Sequence, residues 1–254
     1  MLAVGDPVEI IRNEIETWES PFVELDCFGT ANAAQIVKFV NDFCRVHVGS
    51  GIRGYYFYRA SIGSTHGIAL EDGRDVVIKV RQPPETNPDS HFDLESLGAV
   101  YKVMSWLADR GYPCPRILLG PTPLARGLAT VEEFLDRGSR GDGFEPAYRK
   151  IIASGLSELI ELLRSFSGNV SRLKPLQPGD SLFPQPHSKL FDFEKTAVGA
   201  EWIDDFARRA RQLEAHDGPP VLGHADWRVE HLQFDDGKMV ATYDWDSLGI
   251  SSRD

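Results

Sequence analysis

Residues 224–246 read HADWRVEHLQFDDGKMVATYDWD, and a hairpin written into the middle of this stretch decides the fold. Asp236-Gly237 lies between two apolar runs. It is a two-residue turn signal, because the turn that suits twisted strands needs positive φ at both positions. With that pair as the turn, residue 235 faces 238, His231 faces Thr242 and Val229 faces Asp244. The ribbon then gathers Asp226, His231, Asp244 and Asp246 at one end. Carboxylates and an imidazole packed together are costly unless they share a cation. An oxygen-rich cluster of this kind suits Mg²⁺, which keeps part of its water and binds substrate phosphates. Each residue also has a plain reading, an aspartate as a turn former and a histidine as a satisfied strand residue. The spacing lifts the group above those readings.

Upstream, residues 55–60 are aromatic-rich and read as a strand. Residues 61–67 (SIGSTHG) read as a small-residue loop, and an extended pattern resumes at 68–70. Asp72-Gly73 is a second hairpin signal, and DVVIKV at 75–80 is a β-branched strand. The order is an antiparallel meander. Val77, Lys79 and Arg81 fall on one face of the third strand. A lysine set among β-branched residues needs a carboxylate or phosphate partner. The plain alternative is an edge-strand lysine that discourages aggregation.

The rest of the chain frames these pieces. Asp6-Pro7 is a helix N-cap followed by proline, and Ala33, Ile36, Val37, Val40 and Phe43 make the apolar face of a second helix. Both are expected to pack on a sheet edge. A helix is expected over 93–110, stopped by Gly111. Strands are expected at 116–119 and 129–135, and a long amphipathic helix from Pro146 to 166. A proline-rich loop at 175–187 and a helix at 201–214 follow. Residues 138–143 read as the connector between two lobes. The expected class is α+β, with a sheet-containing N-lobe over 1–135 and a mostly helical C-lobe over 136–254.

Lys and Arg number 27 against 38 Asp and Glu, a net charge of −11. That argues against nucleic acid or an anionic membrane as the main partner, since both need a basic face. Cys27, Cys44 and Cys114 fit neither a disulfide framework nor a metal spacing, which favours a reducing compartment. With no apolar run long enough for a span and no signal segment, the expected location is the cytoplasm.

His224-Ala-Asp226 and Tyr243-Asp-Trp-Asp246 resemble the catalytic core of the protein-kinase-like fold, in its aminoglycoside-phosphotransferase branch. The resemblance covers about residues 55 to 248. Val77-Ile-Lys79 is similar to the lysine motif of the third strand, and Arg110-Gly-Tyr-Pro-Cys-Pro115 is similar to a turn of the branch. The resemblance implies a two-lobed kinase fold and transfer of the γ-phosphoryl group of ATP to a hydroxyl of a small molecule, with Mg²⁺ as cofactor. It implies Asp226 as the base for the acceptor hydroxyl and Arg228 as the cation on the transferring phosphate. Asp244, with His231 and Asp246, would hold metal. On the nucleotide side it implies Lys79, the Gly63, Ser64 and Thr65 segment on the phosphates, and Val77 under the adenine. Adenine would bond to backbone at Glu133, Phe134 and Leu135, and Glu95 would pair with Lys79, with Asp93 as the alternative.

One position departs from the branch. His231 stands where an asparagine is usual, and imidazole is a softer ligand. A shift from Mg²⁺ toward Mn²⁺ is expected, and equal activity of His231→Asn and the parent across metals is the outcome against it. Eight residues follow Asp246 (254 − 246), so a short C-lobe with an open substrate side is expected, and a homodimer would cover it. A catalytically weak nucleotide-binding pseudokinase is the alternative function, and a hydrolase using His224, Asp226 and Asp244 with metal and water is a third.

Overall fold

The alternation of apolar and polar residues along strand β3 (Asp75–Arg81) sets the layers of the N-terminal half. In the computed structural model, which describes residues 3–82, 92–175, 201–202, 205–206, 208–209 and 221–251, Val76, Ile78 and Val80 are fully buried. They point into a core built with helices α1 (Pro7–Ile15), α2 (Phe22–Phe28) and α3 (Ala33–Phe43). Val77, Lys79 and Arg81 lie on the opposite face. Strand β3 is central in a five-stranded antiparallel sheet of order β1-β2-β3-β5-β4, with β1 (Ile52–Ala60), β2 (Gly63–Leu70), β4 (Ile117–Leu124) and β5 (Gly127–Glu133). Pro121 and Pro123 in β4 are tolerated because β4 is an edge strand, where missing N–H donors break no ladder.

Two expectations change here. The N-terminal helices cover the face of the sheet, not its edge: Ile11, Val23, Phe28, Ile36 and Val40 pack with Tyr55, Ile68, Val76 and Ile78. The small-residue stretch after β1 is strand for most of its length, because only Ser61 and Ile62 separate β1 from β2. Register explains the small residues. Gly67 pairs with Val77 on the cation-bearing face, and a Cβ there would sit 2.4 Å from the Phe57 ring. Ser64 and His66 point the other way, into the helix-covered core, where both are fully buried.

Helix α4 (Leu94–Ala108) begins at Asp93, whose side chain accepts from Ser96 N–H while the Ser96 hydroxyl accepts from Asp93 N–H. This reciprocal cap satisfies two end donors. Its Leu97, Tyr101, Met104 and Leu107 join a second core with Leu159 and Leu163 of α5 (Pro146–Arg164), Leu222 and Trp245. That core draws α4 from before the expected lobe boundary.

The C-terminal part contains β6 (Lys174–Pro175), β7 (Val221–His224) and β10 (Leu248–Ser251) in one small sheet, and the hairpin β8 (Leu232–Asp235) with β9 (Lys238–Thr242). Asp236 and Gly237 both have positive φ, 44° and 69°, as the two-residue turn requires. Asp235 pairs with Lys238 and Phe234 with Met239 as expected. Beyond them Gln233 pairs with Ala241, so Val240 is an extra residue and the register shifts by one. Leu232, not His231, faces Thr242. Beyond Pro175, which ends β6, the loop expected at 175–187 and most of the helix expected at 201–214 lie outside the described residues.

Candidate active site

Strand β7 ends at His224, and the chain then leaves the sheet with its turn already pinned. Asp226 N–H donates to His224 Nδ1 at 3.2 Å, and His224 Nε2 lies 3.1 Å from the Tyr243 carbonyl. Nδ1 accepts, so the proton is on Nε2 and is donated to that carbonyl. Burial lowers the pKa of His224, while the Tyr243 carbonyl and nearby carboxylates only partly oppose it. The ring is a neutral strut between the loop and the hairpin, set edge-on to Trp227 and Trp245. Both nitrogens are engaged, which removes His224 from the hydrolase grouping with Asp226 and Asp244.

Asp226, His231 and Asp244 each offer a ligand atom, and these atoms lie within 4.8 Å of one another. His231 ends a 3₁₀ turn (Val229–His231), with Nδ1 3.0 Å from the Asp226 carbonyl. Donation there leaves Nε2 unprotonated; it accepts from Arg228 Nη2 at 3.2 Å and lies 3.8 Å from Asp244 Oδ2. An imidazole held by a backbone carbonyl on one nitrogen is oriented to ligate through the other. Asp244 has φ 61°, a left-handed position that aspartate tolerates better than most residues, and the Ser247 hydroxyl donates to its Oδ2 at 3.2 Å. Tyr243 N–H donates to the His231 carbonyl at 2.9 Å, so Asp244 stands beside His231 despite the bulge.

Asp246 is not in this group. Asp244 opens a 3₁₀ turn (Trp245–Ser247), on which positions two apart face different ways. The fully buried Trp245 lies between them, and the Asp246 carboxylate is ion-paired with Arg81 of β3. Arg228 holds both oxygens of Asp226, Nε to Oδ1 at 2.7 Å and Nη2 to Oδ2 at 2.8 Å.

On the sheet side, Lys79 is buried and its Nζ is 3.2 Å from Glu132 Oε1 on β5. The Tyr101 hydroxyl of α4 lies 3.5 Å from the same oxygen and 2.9 Å from Thr130 Oγ1. Glu95 is instead a surface residue paired with Arg172 at 2.8 Å, and Asp93 is occupied by its cap. The partner of Lys79 comes from the neighbouring strand and not from the helix. Lys79 pairs with Thr130 and Val77 with Glu132 in the ladder, so the polar positions 130 and 132 of ATVEE share the face of Lys79. Alternation within that strand was the signal for Glu132.

Gly63 pairs with Arg81 and Thr65 with Lys79, which puts both on the cation face. The Ser64 hydroxyl does not reach that face; it meets His66 Nε2 at 3.0 Å inside the core. Val77 is half-buried near the Phe57 ring over Gly67. After β5, Phe134 lies 4.8 Å from Tyr56 between ring centroids. Glu133 N–H donates to the Arg116 carbonyl, and the Leu135 carbonyl accepts from the Tyr243 hydroxyl.

The sequence profile of the phosphotransferase enzyme family matches residues 68–253. No curated protein matches the chain by sequence. Among solved structures, amicoumacin kinase hAmiN in complex with AMP-PNP, Ca²⁺ and Ami is similar at 14% identity and a TM-score of 0.52, over 76% of this chain and 59% of that one. A spectinomycin phosphotransferase with ADP and spectinomycin is similar at 12% identity and 0.52, over 84% and 70%. A thermostable aminoglycoside phosphotransferase with ADP and hygromycin B gives 13% and 0.52, over 83% and 72%. The chain thus spans 59% of the length of the amicoumacin kinase. At these identities the likeness speaks for the fold, which is the two-lobed protein-kinase-like fold. Among the described residues no helix is long and apolar enough to cross a membrane.

Proposed function

This chain belongs to the phosphotransferase enzyme family, and on that premise we propose that it transfers the γ-phosphoryl group of ATP to a hydroxyl of a small molecule. The observation that carries the reading is the meeting of Asp226, His231 and Asp244 within 4.8 Å, with Lys79 presented from the sheet by Glu132.

In the reaction the acceptor oxygen bonds to the γ-phosphorus as the bond to the bridging β–γ oxygen breaks. Asp226 takes the acceptor proton, and ADP carries away the electron pair of the broken bond. For that step the fork of Arg228 must release Asp226. A guanidinium freed there is placed to meet the equatorial oxygens of the moving phosphoryl group, where charge stabilisation counts most. Lys79 binds nucleotide phosphate oxygens, with Thr65 and Gly63 beside it on the same face. Phe134, Val77 and Phe57 offer apolar surface for the adenine, and backbone groups of 133–135 its edge.

A carboxylate and an imidazole make a donor set that Mg²⁺ accepts and Mn²⁺ suits better. When bound, such an ion neutralises phosphate charge. Asp244 and His231 are the residues that would hold it, with the Asp226 carboxylate, within 4.8 Å of both, left to take the acceptor proton.

The acceptor is tested by screening amino alcohols, sugars, aminoglycosides and macrolides for ADP release, with Asp226→Asn as the blank. Release that depends on both the acceptor and Asp226 supports the reading; release unaffected by Asp226→Asn sinks it. A second reading, a nucleotide-binding pseudokinase, is favoured by the bidentate hold of Arg228 on Asp226. Nucleotide binding with no single-turnover transfer to any acceptor would select it.

A further inference from the structure

Strand β3 presents a second cation two residues beyond Lys79, and nucleotide binding gives it no task. Arg81 is only 3% exposed and is ion-paired with Asp246, whose side chain is 8% exposed. The Phe92 ring lies 5.7 Å from its Cζ. The ion pair joins the sheet to the turn that begins at Asp244. Ser247 N–H donates to the Asp244 carbonyl and Ala225 N–H to the Ser247 carbonyl. Backbone hydrogen bonds thus join the turn, Asp244 and the loop carrying Asp226, and Asp246 ties that segment to β3.

A buried ion pair is a poor device for stability, because desolvation consumes most of the attraction and an apolar pair of similar volume often does as well. This pair is also imperfect: Arg81 Nε and Asp246 Oδ1 are buried without hydrogen-bond partners. What the pair supplies is geometry. We propose that Arg81, acting through Asp246, is a positioning residue that sets the Asp244 carboxylate beside Asp226 and His231, from the strand face that also presents Lys79. The inference rests on the reading of Asp244 as a metal ligand.

The test is Mn²⁺ alone, titrated onto the intact chain and followed by electron paramagnetic resonance, with thermal unfolding alongside. D246N is expected to bind Mn²⁺ about 10- to 100-fold more weakly than the parent, the usual cost of losing a group that orients a ligand. The apolar pair R81M/D246L is expected to recover unfolding temperature while its Mn²⁺ affinity stays weak. Recovery of affinity together with stability, or D246N binding like the parent, overturns the proposal. Should those variants fail to fold, R81K keeps the charge with a shorter reach and is expected to fold yet bind Mn²⁺ more weakly than the parent; binding equal to the parent overturns it as well. A parent chain that binds no Mn²⁺ overturns the metal reading itself, whereas binding shared equally by every variant overturns only the positioning role.

Discussion

Lys79 and Glu132 show how a residue's chemistry can be readable while its partner is not. A lysine among valines and isoleucine announces that it needs a counter-charge, because an amine stripped of water is costly without one. Which carboxylate answers depends on strand pairing across more than fifty residues (132 − 79), and the resemblance points instead to helix position 95, with Asp93 as the alternative. Glu132 is 2% exposed, whereas the Glu95 side chain is 63% exposed. Glu132→Gln should therefore lower kcat/KM for ATP by about ten- to a hundredfold, the scale of a lost charge-assisted partner, while Glu95→Gln changes it little. Steady-state kinetics of the two variants decide between them, and the reverse ranking would restore the helix residue to the role. Ser64 teaches the complementary lesson. Its neighbours in a small-residue stretch look like phosphate-binding loop, yet strand alternation turns its hydroxyl into the core.

At the scale of elements, turn chemistry was legible and irregularity was not. Asp236-Gly237 specifies its turn through backbone dihedrals that few other pairs adopt, and so gathers Asp226, His231 and Asp244 at one end of a ribbon, although the same reading adds Asp246, which pairs with Arg81 instead. The bulge at Val240 has no comparable signature, since an extra residue in a strand leaves composition and turn unchanged. Helix α2, with seven residues, is too short to show a helical period. The bulge carries a functional consequence. Deleting Val240 would make the hairpin regular and draw Asp244 back by one strand position, which turns a side chain to the opposite face. Turnover is expected to fall on the order of a hundredfold or more, as misplacement of about an ångström can do. Mn²⁺ binding should weaken with it, although the exposed turn still forms. Undiminished turnover in that deletion would show that the bulge does not set the site.

For the whole molecule, acid should act on the interior in two successive windows. His66 is fully buried between sheet and helices, 3.1 Å from the Tyr55 hydroxyl and 3.0 Å from the Ser64 hydroxyl. Burial pushes its pKa down to about 3. The unfolded chain protonates this ring below about pH 6.5, while the folded one resists until near its own value. Stability therefore falls with pH by about 1.4 kcal/mol per unit through that range. Burial by itself raises the Asp246 carboxyl, but Arg81 and Lys79 outweigh it and hold the group below the usual carboxylate range. Its contribution is present above that range and is lost only as pH drops through the lowered value. Denaturant melts of His66→Gln between pH 6.5 and 4 should show a shallower decline than the parent, by about one proton in the slope. An unchanged slope would place the acid sensitivity elsewhere.

The alternation of β3 has one more outcome, and it concerns how the chain avoids misassembly. A one-residue slip of this central strand would carry Lys79 and Arg81 beneath α1–α3 and turn Val76, Ile78 and Val80 toward the carboxylates of Glu132 and Asp246. Two unpaired ammonium and guanidinium groups in an apolar interior would make such a pairing far less stable than the native one. The same two cations that meet Glu132 and Asp246 in the finished protein thus reject the wrong alignment while the sheet is forming. Replacing both with apolar residues would remove more than two binding groups, because it would erase the difference by which the folding chain tells one face of its central strand from the other.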